Sequence, residues 1–499
     1  MKIGITYIKG SLPGFENFGN LPTDIVTSNG MVNGLKASSE LDALIIPGGS
    51  LIESGEVSPD LSFEIKKMAS DGKPIIGICA GFQVLSNWVN FSRDSFCPVI
   101  KEGLGLIDVN FSSLISSDRV KVDIANDSFL AKKNEVITGF HTHTYGKVQG
   151  DAKAFSYSCI QRMNYSSTNS KILSGAIGDN ENVIGTLVHN ILDENPELVS
   201  NFFKFLDATD EDISSIYLKN KEFKNKMSKT VGISDVKVEK LLNPFLKLKK
   251  GKSPRVLMIA STSSDSGKTF ITTGLAGALK KKGLNIGLIK IGPDVRDIIP
   301  GLYLTKNLME DFASVKLSDI GWMDIKDVLE KLKNSNYDIV LIEGVMSVFT
   351  GLLNEKTPYS ACEIGASSNI PLILVSGVNK GGIESAAFDL VSHTNLLKSF
   401  NIDVKAIILN KVYNMDIFEN ATSYIKNETK IDNVFSIEKV KLDKRGFTPE
   451  VEIDHDKFGN LAIKTIEENL DVFKIANMSE IPKFNKYLSF KEIKKTLGV

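Results

Sequence analysis

The sequence predicts an α/β protein of two doubly wound domains, each built on a mostly parallel sheet. Short aliphatic runs recur in both halves: Leu44-Ile45-Ile46 and Ile75-Ile76-Gly77-Ile78 in the first, then Val256 to Ile259, Ile339 to Ile342 and Leu372 to Val375 in the second. Strands apolar along their whole length need cover on both faces, which helices flanking a parallel sheet provide. Amphipathic stretches alternate with these runs, and at 499 residues the chain is too long for one ordinary core.

Taken in order, Met1 to Tyr7 reads as a first strand, with no cationic leader or cleavage site before an apolar run. Asn195-Pro196 caps a helix through Leu198, Phe202, Phe203 and Leu206, closing a domain over residues 1–206. Residues 207–252 are dense in charge, end in Lys247-Leu248-Lys249-Lys250-Gly251-Lys252, and read as a solvated connection to a second domain over 253–499. A formal net charge of -1 leaves no electrostatic footprint for nucleic acid or an anionic membrane. Apolar runs are strand-sized, as in Ala406-Ile407-Ile408-Leu409, so a cytoplasmic protein without membrane spans is expected. The four cysteines, Cys79, Cys97, Cys159 and Cys362, show no C-x-x-C spacing and argue against a disulfide framework or a zinc site.

In the second half a buried strand runs into Ser261-Thr262-Ser263-Ser264-Asp265-Ser266-Gly267-Lys268-Thr269 and then a helical pattern, the context a phosphate-binding loop requires. Backbone N–H groups of the loop would cradle the phosphates of ATP, Lys268 would neutralise their oxygens, and Thr269 would hold Mg²⁺. Thr262 stands where the standard loop has its first glycine. Glu343 ends a strand, where a nucleotide metal sits, and Asp294 follows Gly292-Pro293; both are candidate metal or substrate ligands.

In the first half, Gly77-Ile78-Cys79-Ala80-Gly81 runs from strand into helix as a nucleophile elbow with cysteine at its tip. Gly49, where a strand breaks into Pro47-Gly48-Gly49-Ser50, and Ala80 are the candidate oxyanion donors. His189, at the end of another strand-like run, is the candidate base. Its rivals are His141 and His143, whose i, i+2 spacing suits a polar face or a metal, though no third ligand is evident.

These stretches carry two family resemblances. Gly77-Ile78-Cys79-x-Gly81-x-Gln83, Pro47-Gly48-Gly49-Ser50 and Gly185-Thr186-x-x-His189 resemble the class I glutamine amidotransferase domain, of flavodoxin-like fold, in its cobyric acid synthase subtype. The altered loop, Lys290-x-Gly292-Pro293-Asp294-x-x-Asp297, the run Ile342 to Gly351, Ile408 to Val412 and a closing segment at Leu442 to Pro449 resemble the P-loop NTPase domain of cobyrinic acid a,c-diamide synthase and cobyric acid synthase, itself similar to dethiobiotin synthetase. The resemblance implies a glutamyl thioester on Cys79, His189 as its activator, Lys290 and Asn410 at the ATP site, and Asp294 and Asp297 facing substrate. It further implies a carboxylate acceptor, most readily a tetrapyrrole, activated by ATP as an acyl phosphate and amidated by glutamine-derived ammonia; a homodimer is compatible with this.

The sequence departs from these families at several points. The glutaminase half comes first, whereas the resembled enzymes carry the ligase half first. Ile191 stands where the ordinary triad has its glutamate, which leaves either a Cys79–His189 dyad or a histidine oriented by Asp193 or Glu194, and His141 replaces the acid of a G-[YH]-E-x-H stretch that ends at His143. Val295 and Thr350 replace a tyrosine and an aspartate, so another carboxylate stays open as acceptor. The alternatives are a MinD-type switch ATPase with a vestigial amidotransferase domain, against which the absence of an earlier loop lysine speaks, and a thiol hydrolase using the same elbow.

Overall fold

The structure, a computed structural model, describes residues 1–6, 15–49, 57–92, 97–164, 166–230, 253–379, 381–441 and 455–499. They form two compact units, one comprising the described residues up to 230 and the other those from 253 onward. Ser50, the basic run at 247–252 and the closing segment at 442–449 lie outside the described residues.

In the first unit the strands Val136–Phe140, Arg119–Ile124, Lys153–Met163, Ser166–Ile177, Val183–Thr186, Ile75–Ile78, Ala43–Ile46, Ile3–Thr6 and Asp24–Val26 lie side by side in that order. From Val183–Thr186 to Asp24–Val26 the pairing is parallel. From Val183–Thr186 outward in the other direction it is antiparallel, an extension that the apolar runs do not foretell because its strands alternate buried and exposed residues. The parallel strands are buried at every position in Ile3–Thr6, Ala43–Ile46, Ile75–Ile78 and Val183–Thr186. The helix Pro59–Ser70 covers one face with Leu61, Ile65 and Met68, and starts where Ser58 accepts the Leu61 N–H ahead of a first-turn proline.

The sequence reading places a solvated connection from 207 onward, but residues Asp210–Thr230 form a helix. Ile216, Phe223 and Met227 are buried, seven and four residues apart on one face, which the surrounding charge obscures. Its buried Asn220 donates to the Pro22 carbonyl at 2.8 Å, so the helix backs the segment that follows residue 15.

The second unit is a wholly parallel sheet in the order Ser314–Val315, Ile286–Ile291, Ile339–Glu343, Arg255–Ser261, Leu372–Gly377, Val404–Val412, Val434–Glu438. The helix Lys268–Lys281 is buried over most of its length, beneath the helix His455–Asn469. Gly274 permits that approach: a Cβ there would lie 2.5 Å from the Ala462 carbonyl oxygen. Gly274→Ala should therefore destabilise this unit by about 1–3 kcal/mol, read as a lower denaturant midpoint. An unchanged midpoint would show that the two helices can part without cost.

Candidate functional site

Cys79 follows the strand Ile75–Ile78, which lies between Ala43–Ile46 and Val183–Thr186 with Ile78 in register with Thr186. The carboxyl ends of both neighbours therefore flank it: one delivers Pro47-Gly48-Gly49, the other His189. The Cys79 N–H donates to the Thr186 carbonyl at 2.7 Å, and Cys79 adopts φ 50°, ψ −106° before the helix Ala80–Leu85, a strained turn of the kind a nucleophile elbow uses. A Cβ on Gly48 would lie 2.6 Å from His189 Cε1 and 3.5 Å from Cys79 Cβ, so glycine, nucleophile and imidazole crowd one small volume. Gly49 and Ala80 are on either side of this volume in the chain, each next to one of these residues.

His189 is 1% exposed, and its ring stacks on Phe140, with centroids 5.3 Å apart and planes at 18°. Phe15 lies 5.5 Å from the ring, centroid to centroid. Nδ1 meets a carboxylate oxygen of Glu16, a residue no motif singles out, while Nε2 is buried without a hydrogen-bond partner. Burial opposes charge on this ring, but attraction to Glu16 and to the Cys79 sulfur outweighs it and raises its pKa to about 10. His189 thus holds a proton at neutral pH.

The acids expected to orient it do other work. Asp193 accepts the N–H groups of Asn17 and Gly19, both at 2.7 Å, and Glu194 takes Arg119 in a two-pronged pair at 2.5 and 2.8 Å. Ile191 is wholly buried. The rival histidines bond to each other: His143 Nδ1 donates to the Leu114 carbonyl at 3.0 Å, so its Nε2 accepts from His141 Nδ1 at 3.2 Å. Burial, then His143 and His189, hold His141 well below the usual imidazole range. Among the described residues no group of three or more His, Cys, Asp or Glu side chains is arranged to hold a metal.

In the second unit the loop after Arg255–Ser261 ends at Gly267, whose φ of 90° makes the left-handed turn into the helix Lys268–Lys281. Asn410 packs against Gly267 where any side chain would collide with it, and its amide donates to the Ser266 carbonyl at 2.8 Å. Thr262 shares a hydrogen bond with Ser376 at 2.8 Å, Ser263 one with Ser266, and the Asp265 carbonyl accepts from Lys411 at 2.6 Å. Ser264 stands between them in the same turn. Lys268 reaches Ser261 Oγ and the Met346 carbonyl, each at 2.8 Å; burial and the nearby Lys290 lower its pKa to about 8. Glu343, Asp297 and Asp265 attract this ammonium, but its hydrogen bonds go to a hydroxyl and a carbonyl, and a phosphate would add an anionic partner.

Lys290 and Glu343 face each other in register on neighbouring strands. Lys290 contacts Glu343 Oε1 at 3.2 Å, the Gly344 carbonyl at 3.0 Å and Asp297 at 2.5 Å. Thr269 Oγ1 donates to the same Glu343 oxygen at 2.8 Å, while Oε2 is buried without a partner. Thr269 and one orphaned carboxylate oxygen suit Mg²⁺, which takes its other ligands from phosphate and water. Asp294 is held by Arg296, which meets its carboxylate at 2.7 and 2.5 Å, and is attracted by Lys290 as well.

Residues 11–197 match the CobB/CobQ-like glutamine amidotransferase domain and residues 257–446 match the CobQ/CobB/MinD/ParA nucleotide binding domain. Its relatives include proteins named cobyrinate a,c-diamide synthase. That of Caldanaerobacter subterraneus subsp. tengcongensis is 29% identical over 46% of this chain and 50% of its own length; that of Methanococcus maripaludis is 29% identical over 45% and 50%. A third, from Dehalococcoides mccartyi, is 35% identical over 35% of this chain and 36% of its own length. The chain spans about half the length of these relatives or less.

Burial raises the Glu343 pKa to about 6 despite Lys290 and Lys268. If Glu343 holds Mg²⁺, which needs the ionised carboxylate, Mg²⁺-dependent nucleotide affinity should be full above pH ~7 and fall as pH drops through 6, by up to about tenfold per unit. Titration calorimetry with Mg²⁺ and an ATP analogue from pH 5 to 8 reads this. Glu343→Gln should flatten the profile; an equally steep profile in that variant would assign it to another group.

Proposed function

We propose that the chain is an ATP-dependent glutamine amidotransferase that hydrolyses glutamine at Cys79 and amidates a carboxylate through an acyl phosphate. One observation carries this: a cysteine elbow facing a buried, protonated histidine occurs in the same chain as a phosphate loop with an orphaned carboxylate oxygen beside Thr269. Glutaminase chemistry alone needs no nucleotide, and a nucleotide switch needs no thiol.

The Cys79 sulfur attacks the side-chain carboxamide of glutamine. Negative charge on its oxygen falls between the N–H groups of Gly49 and Ala80. His189 gives its proton to the departing nitrogen, ammonia leaves, and a water that His189 then deprotonates hydrolyses the glutamyl thioester. In the second unit the loop Thr262 to Thr269 and Lys268 bind the triphosphate of ATP, Lys290 neutralises charge beside it, and Asn410 fixes the loop. Mg²⁺, held by Thr269 and Glu343, would offset phosphate charge. The acceptor carboxylate takes the γ-phosphoryl group and ammonia displaces phosphate from the acyl phosphate. Asp297 and, once Arg296 releases it, Asp294 lie in the segment that would face the acceptor.

The acceptor is a tetrapyrrole carboxylate on this reading, supported by the resemblance of both domains to enzymes of that chemistry; the protein works in the cytoplasm, without nucleic acid or membrane as a partner. Cys79→Ala should lower glutamine-dependent ammonia release by about 10³-fold or more while free ammonia still supports ATP-dependent amidation of a tetrapyrrole acid. Wild-type protein that releases no ammonia from glutamine, with or without Mg-ATP and acceptor, would refute the glutaminase half.

A further inference from the structure

We propose that Glu16 completes a Cys79–His189–Glu16 triad, the acid coming from the segment at residues 15–22 and not from the stretch after the histidine. This rests on the glutaminase reading above and assigns its positioning residue. Both Glu16 oxygens are used: one meets His189 Nδ1, the other accepts the Asn190 N–H at 2.9 Å. The two side chains are each 2% exposed, so the carboxylate has no water to turn to. With Phe140 stacked on the ring and Phe15 beside it, the imidazole is held with Nδ1 on Glu16 and Nε2 left for the reaction.

The segment is tied down from two sides. Asp193, four residues past His189, accepts two of its N–H groups, so Glu16 and Asp193 bridge the same two stretches in opposite directions. From behind, Asn220 donates to Pro22 and Lys224 to Asn20. Burial and then the Glu16 charge raise the Asp193 pKa, opposed by its two N–H bonds. Burying Glu16 with the half-buried Asp193 charge acting on it costs folding energy, which the hydrogen bonds of both carboxylates offset. The position two after the histidine is filled by buried Ile191, so the acid's role falls to Glu16 or goes unfilled.

The titratable groups around the ring are Glu16, Cys79 and His141, the last held neutral. Replacing the Glu16 charge should therefore let His189 lose its proton earlier. The test compares wild type, Glu16→Gln and Asp193→Asn in the full chain, by ammonia release from glutamine and by Cys79 alkylation with iodoacetamide across pH 5–11. Peptide mass mapping separates Cys79 from the exposed Cys97 and Cys159. Glu16→Gln is expected to lower kcat by about 10²–10⁴-fold with a nearly unchanged KM, and to move the alkaline limb of both profiles down from near 10 by about 2–3 pH units. Asp193→Asn is expected to cost less than about tenfold and to leave the limb in place. A Glu16→Gln protein with the wild-type limb, or a limb that moves only in Asp193→Asn, overturns the assignment. If wild type releases no ammonia, the glutaminase reading fails, and the alkylation profile alone still decides whether Glu16 governs His189.

Discussion

Cys79 meets His189 because Ile78 and Thr186 are partners in two parallel strands, and Lys290 meets Glu343 because they are partners in two others. In a parallel sheet all carboxyl ends emerge along one edge, so residues distant in sequence arrive together if their strands are neighbours and in register. A slip of one residue would turn Lys290 or Glu343 to the opposite face of its sheet. These strands are buried at every position, so each is held between its neighbours and the cover on both faces of the sheet.

Charge is then arranged against the cost of burying it. In the first unit a buried imidazolium lies between a carboxylate and a sulfur, and its proton is stabilised more by these partners than it is opposed by desolvation. The phosphate loop shows the opposite state. Lys268 is buried beside another lysine, hydrogen-bonded to a hydroxyl and a carbonyl, and Glu343 keeps one oxygen unpartnered.

Much of this was legible in the sequence, because it depends on local pattern. Glycines two before and two after Cys79, the Gly267-Lys268-Thr269 end of the loop, and strands ending at Glu343 and before His189 are all read within a few residues. What escaped depends on tertiary proximity. Glu16 lies 173 positions from His189, in a stretch with no motif. The apolar face of Asp210–Thr230 is only a few residues in a helix dominated by charge.

If both units serve one reaction, nitrogen from the glutamine side chain must end in the acceptor. The most direct measurement incubates the protein with [amide-¹⁵N]glutamine, Mg-ATP and a tetrapyrrole carboxylic acid, in unlabelled ammonium buffer, and examines the products by mass spectrometry. ¹⁵N is expected in a new amide of the acceptor, formed with ATP cleavage. Label found only in free ammonia, with the acceptor unchanged and ATP intact, would contradict it.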